Sequence, residues 1–153
     1  MSILVTHHTE ITVQNTITLG PGNTGRVIDS AKRRRLQLGA ASTPAVSQYS
    51  SFAKALVAGA GQIDLTALPA VAGVTPTYAG LAVRMIRVAN PNDYALVVTP
   101  AVTNGYDLTF TVPPQGVVQI ECDSGLADID ATHKLLDLAG DTTNSANWFI
   151  VLG

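Results

Sequence analysis

At 153 residues, with 46% apolar and only 13% charged side chains and a net charge of −2, the chain suits one compact domain able to bury roughly 68–70% of its unfolded surface. A core of that size needs no metal or disulfide staple, and the single cysteine, Cys122, excludes an intrachain disulfide. The charged share is about half the usual one, so the surface is neutral and hydroxyl-rich, as suits a subunit that lives against other chains rather than a free monomer.

The charge is also unevenly spread. Residues 1–80 carry six basic and three acidic side chains, and residues 81–153 carry three basic and eight acidic ones. Such polarity bears on association rather than on fold. Residues 1–5 hold no basic leader, and no apolar run approaches the ~18 residues of a membrane span. A soluble protein, made and folded in a cytoplasm, is the expectation.

In chain order, residues 3–6, 11–14 and 16–19 are short β-prone runs closed by a loop at residues 20–25 (GPGNTG), with another strand beginning at residues 26–29. His7 and His8 are neighbours, so on a strand they point to opposite faces and cannot chelate one ion together. Lys32, Arg33, Arg34 and Arg35 form the sharpest charge feature. Three readings fit such a run: a solvated strand end, a contact with an acidic protein surface, or phosphate neutralisation. The absence of interleaved aromatics and a sequence pI near 5.8 weigh against nucleic acid.

Residues 44–58 fit two elements. Ser42 or Thr43 could cap a helix that starts at Pro44 and ends at Gly59, with Val46, Tyr49, Ala53 and Val57 on one face. As a strand, Tyr49, Ser51, Ala53, Ala55 and Val57 alternate with Ser50, Phe52, Lys54 and Leu56. The local pattern favours the helix. Residues 65–69 read as a short turn-like segment and residues 70–79 as a small-residue loop.

Residues 81–89 (LAVRMIRVA) form a β-rich run that meets Asn90-Pro91-Asn92-Asp93. Proline presets the second position of a type I turn, and the flanking Asn and Asp side chains bond their own backbone. The run at residues 94–98 is therefore expected to fold back beside the first. A second reversal at Pro113-Pro114-Gln115-Gly116 separates residues 108–112 from residues 117–122, since prolines offer no N–H to a ladder. Beyond an acidic loop at residues 123–132, short strands at residues 134–138 and 148–152 flank a turn at residues 140–144. Evenly spaced strands with Gly and Pro punctuation predict an all-β fold, an antiparallel β-sandwich or jelly roll with an extended N-terminal arm. Alternation assigns Val83, Met85, Val97, Phe110, Val112, Val118, Ile120, Leu136 and Ile150 to its core.

Catalytic motifs are missing from the sequence: no nucleophile elbow, phosphate loop or zinc spacing is present. Asp123, Asp128 and Asp130 could offer oxygens to calcium, but their spacing matches no EF-hand loop, and Asp favours turns in any case. No enzyme, metal or cofactor is expected.

The segments GLAVRMIRVANPND, TVPPQGVVQIECDSGLADIDATHKLLDLAG and WFIVLG, together with IDLTALP at residues 63–69, resemble small β-sandwich virion proteins of tailed bacteriophages and prophages. The likeness spans about residues 60–153. It implies a capsid decoration or cement protein on the outer surface of the major capsid shell, a homo-oligomer with a trimer favoured, found in the virion and made in the host cytoplasm. It also tips residues 49–57 towards strand. Partners implied are the major capsid protein and further copies of the chain, with no membrane and no nucleic acid. Lys32, Arg33, Arg34 and Arg35 lie outside the likeness, and partner contact is their expected role. Residues 1–40 are then an assembly segment, and residues 41–153 the sandwich domain. A head-to-tail neck or tail component is the rival within that class. A carbohydrate-binding sandwich is the rival from another, though one Trp and four Tyr give few sugar-stacking platforms.

Overall fold

The computed structural model describes residues 4–20, 23–39, 48–70, 77–121 and 126–153. Residues 4–39 form a hairpin of two strands, β1 (Leu4–Gly20) and β2 (Asn23–Gly39), each of 17 residues. The strands reach into the loop expected at residues 20–25, β1 ending at Gly20 and β2 beginning at Asn23, and the three short runs merge into one continuous β1. Interruptions by Thr, Glu and Asn break the apolar pattern without breaking the ladder, because a strand needs apolar residues on one face only.

Eight further strands follow: β3 (Gln48–Ala55), β4 (Ala60–Asp64), β5 (Val83–Asn90), β6 (Leu96–Pro100), β7 (Phe110–Val112), β8 (Gly116–Glu121), β9 (Leu135–Ala139) and β10 (Ser145–Leu152). They build two four-stranded sheets, ordered β3-β10-β5-β8 and β4-β9-β6-β7, with every pairing antiparallel. β3 pairs with β10, β4 with β9, β5 with β8 and β6 with β7. That nesting is one long hairpin rolled up on itself, the jelly-roll arrangement of a double-sheet sandwich.

The nesting corrects the expectation at both proline turns. β5 and β6 do not pair; the chain leaves one sheet at Asn90 and enters the other at Leu96. β7 and β8 likewise belong to opposite sheets. Proline and Asn dictate a reversal, but whether the returning strand lies alongside or crosses the ~10 Å between sheets depends on partners far away in sequence.

The helical alternative for residues 44–58 is overturned where that segment is described: residues 48–55 are β3, in register with β10 from Gln48↔Leu152 to Ala55↔Ser145. Pairing and packing against Trp148, whose ring lies 6.3 Å from and nearly parallel to that of Phe52, outweigh a weak local helix pattern. Residues 65–67 wind into a single 3-10 turn, capped by Asp64 accepting from the Thr66 N–H at 2.9 Å.

Between the sheets, Ile86, Val88, Leu96, Val98, Leu136, Trp148, Ile150 and Leu152 are buried, with Phe110, Val118 and Ile120 packed partly buried at the margin. Val83, Val112, Leu136 and Ile150 are core residues as expected. Val97 is not: it is 37% exposed while Leu96 and Val98 are buried, because alternation fixes which residues share a face but not which face is inward. Met85 is buried, but on the outer face of its sheet. The ladder runs Val151↔Met85 and then Leu152↔Val83, so an extra residue at Arg84 shifts the alternation and returns Val83 to the inner face. Ile120 sits opposite Ile86 and is only half-buried, so Ile120→Ala should cost about 2 kcal/mol, the lower end for such truncations, measurable as a shift of the urea midpoint.

The crossing corners are fastened to each other through side chains. Asn90, 2% exposed, donates from Nδ2 to the Tyr94 carbonyl at 2.7 Å and to the Pro113 carbonyl at 3.2 Å, while its Oδ1 accepts from Asn92 Nδ2 at 2.8 Å. Asn92 Nδ2 also donates to the Ser145 carbonyl at 2.6 Å, and Gln115 Nε2 to the Pro91 carbonyl at 2.8 Å. One buried amide thus holds together the two loops that carry the chain between sheets.

Candidate assembly surfaces

The basic run expected to touch a partner lies on β2. Arg35 is opposite His8 and Arg34 opposite Thr9, after which the register shifts so that the next pair is Ile11↔Ala31. Lys32 and Arg33 together therefore stand opposite Glu10, the two-against-one arrangement of a β-bulge.

Strands β1 and β2 form a two-stranded sheet of their own.

On the sandwich, a second apolar cluster lies on the outer face of the β3-β10-β5-β8 sheet. Val151 and Met85 are buried there, and the Tyr49 and Phe149 rings are 5.9 Å apart beside them. Alternation within β10 alone does not reveal it, because Ile150, Val151 and Leu152 are all apolar.

The acidic loop is occupied with its own backbone. Asp130 Oδ1 accepts from the Thr132 N–H at 2.6 Å, the His133 N–H at 2.8 Å and the Thr132 hydroxyl at 2.8 Å. The Thr132 N–H, foremost among these donors, holds the carboxyl well below the usual carboxylate range. Asp141 is lowered in the same way, chiefly by the Thr143 N–H. Asp128 belongs to a bridge with Ala82, while Asp123 and Cys122 lie outside the described residues. Among the described residues no group of three His, Cys, Asp or Glu side chains is placed to hold a metal ion. An open groove of about 210 Å³ runs beside Phe52, Lys54 and Asp64, but the Asp64 carboxylate is already engaged by Thr66. No helix among the described residues is long and apolar enough to cross a membrane.

Comparison of the chain with protein-family models, with curated proteins and with solved structures gives no match.

Proposed function

We propose that this chain is a structural, non-enzymatic virion protein of a tailed bacteriophage, a decoration or cement protein that binds the outer surface of the major capsid shell as a homo-oligomer and stabilises it. The observation that carries the reading is the combination of a jelly-roll sandwich with a hairpin of 17-residue strands ahead of it that, among the described residues, shares no ladder with the sandwich. A β-sandwich preceded by a long two-stranded ribbon suits a subunit that grips neighbours. Main-chain and apolar contacts made several at a time raise the effective concentration of each. The neutral, hydroxyl-rich composition and the resemblance of residues 60–153 to phage sandwich proteins support the same assignment.

In this reading residues 1–40 serve assembly and residues 41–153 fold alone. Deleting residues 1–40 and measuring folding, oligomeric mass and co-sedimentation with assembled major-capsid shells tests each part. The truncated protein should keep its far-UV β spectrum, lose its oligomeric mass, and bind shells at least about tenfold more weakly, the scale on which multivalent attachment depends. Wild-type shell affinity in the truncated protein would refute the role of the hairpin, and unfolding would show that residues 1–40 belong to the core.

A further inference from the structure

The groove between β3 and β4 lies where the two sheets part. Each of these strands ends its sheet, so among the described residues each is hydrogen-bonded to another strand along one side only. They are joined by a tight turn in which the Val57 N–H donates to the Ala60 carbonyl at 2.8 Å. The polar side chains that β4 brings to the groove are engaged: Gln62 Nε2 donates to Asp137 Oδ1 at 2.8 Å, and Asp64 Oδ1 accepts from the Thr66 N–H at 2.9 Å. Lys54 is different. Its half-buried side chain lines the groove, and among the described residues its ammonium has no hydrogen-bond or ion-pair partner. We propose that the groove takes an extended segment of another protein, added as a strand along the free edge of β3, with an acidic side chain of that segment against Lys54. The inference goes beyond the capsid reading and does not rest on it.

Spacing on β3 dictates what the segment must look like. Alternation puts Phe52 and Lys54 on the same face, and both line the groove. Directly paired residues of an antiparallel ladder share a face, so a strand laid along this edge meets Phe52 with one residue and Lys54 with the residue two places away. At Phe52 an apolar residue is favoured, because Leu68 and Pro69 line the groove with it. At Lys54 a carboxylate is favoured, since a half-buried ammonium gains more from an opposite charge than one fully in water. The recognised pattern is therefore apolar-x-acidic. Size selects a strand over a small molecule: the groove holds about 210 Å³, less than the ~300–1,000 Å³ of ligand pockets. Such a volume suits side chains whose main chain bonds to the edge outside it, the division of labour in β-strand addition. The usable edge is short. Gln48 Nε2 bonds the Thr77 carbonyl at 2.9 Å and Ser50 Oγ the Pro69 carbonyl at 2.8 Å, which keeps Thr77 and Pro69 beside the start of β3 and leaves residues 51–55, roughly 17 Å of strand.

The test is the fluorescence anisotropy of labelled peptides titrated with the full chain. The probes are Thr-Thr-Val-Thr-Glu-Thr-Thr, the same peptide with Lys in place of Glu, and Thr-Thr-Val-Glu-Thr-Thr-Thr, in which the acid moves to the opposite face of the strand. The first should bind at least about tenfold more tightly than either of the others. Lys54→Glu should reverse the preference, so that the lysine peptide binds more tightly by a similar factor. Trp148, the sole tryptophan and a buried sandwich residue, reports by its emission whether the sandwich stays folded. If Lys54→Glu loses that signal, Lys54→Gln decides: a folded variant that keeps the preference for the acidic peptide overturns the proposal. Equal binding of the three peptides by the wild type overturns it too, as does the lack of any binding up to about 1 mM. Sedimentation of the protein alone tests two other readings of the edge. Wild-type self-association that the first peptide dissolves would place a second copy in the groove instead of a separate partner. Self-association that appears only in Lys54→Gln, with every peptide ignored by the wild type, would make Lys54 a guard against edge pairing and overturn the proposal equally.

Discussion

Trp148→Ala should destabilise the sandwich by about 3–5 kcal/mol, the range for truncating a fully buried aromatic. Trp148 is 1% exposed on β10, the central strand paired with both β3 and β5. Its ring lies 6.3 Å from Phe52 and 6.4 Å from Phe110. Phe52 belongs to one sheet and Phe110 to the other, so the indole fills the space between layers rather than a pocket within one, and small shifts of a single strand cannot close the hole. The indole Nε1 has no hydrogen-bond partner among the described residues, so the contribution is one of volume and contact. Trp148→Phe should therefore lose only about 1–2 kcal/mol. Chemical denaturation followed by far-UV circular dichroism separates the two outcomes. A Phe variant as unstable as the Ala variant would mean that a polar interaction of the indole, not its size, stabilises the core.

Much of the strand inventory could be read from residue order, because β-branched alternation and proline punctuation are local signals. The 3-10 turn at Leu65–Ala67, β9 and β10 follow from them within a few residues. Sheet membership could not be so read. Asn90-Pro91-Asn92-Asp93 encodes a reversal equally compatible with a hairpin and with a sheet crossing, and the choice is made by β8 and β10 pairing with β5 from far along the chain. Face assignment failed where parity decides. Val97 lies between two residues that are more deeply buried, and all three are aliphatic, so nothing local distinguishes the phase of the pattern. At Arg84 a bulge resets the phase without any glycine or proline to announce it.

The hairpin presents the same difficulty on a larger scale. Its β propensity was evident, and the concentration of basic residues near its end was evident. Its length was not, since polar residues on one face of a long strand look like gaps in sequence. The bulge that sets Lys32 and Arg33 against Glu10 is created by pairing and absent from either strand considered singly.

Asn90→Asp should cost about 3–5 kcal/mol at neutral pH, the scale of an uncompensated charge in a protein interior. The replaced amide is 2% exposed and points its two protons at the carbonyls of Tyr94, Val112 and Pro113. A carboxylate there offers no donors and sets negative charge against carbonyl oxygens, so the ionised form is opposed by burial and by its neighbours together. Both effects raise the folded-state pKa above the ~3.9 of an unfolded aspartate. The folded chain then holds a proton that the unfolded chain releases, so stability falls as pH rises above about 4. Below that value the carboxyl is protonated in both states and can donate one bond. The gap in urea midpoint between variant and wild type should therefore be widest at pH 7 and should narrow on acidification to pH 4. Asn90→Ala introduces no charge, and its smaller loss of about 2–3 kcal/mol, from carbonyls left without a donor, should stay constant over the same interval. An Asn90→Asp deficit that does not change with pH would show that the position is reached by water, and that the two sheet-crossing corners are held by Asn92 and Gln115 rather than by the buried amide.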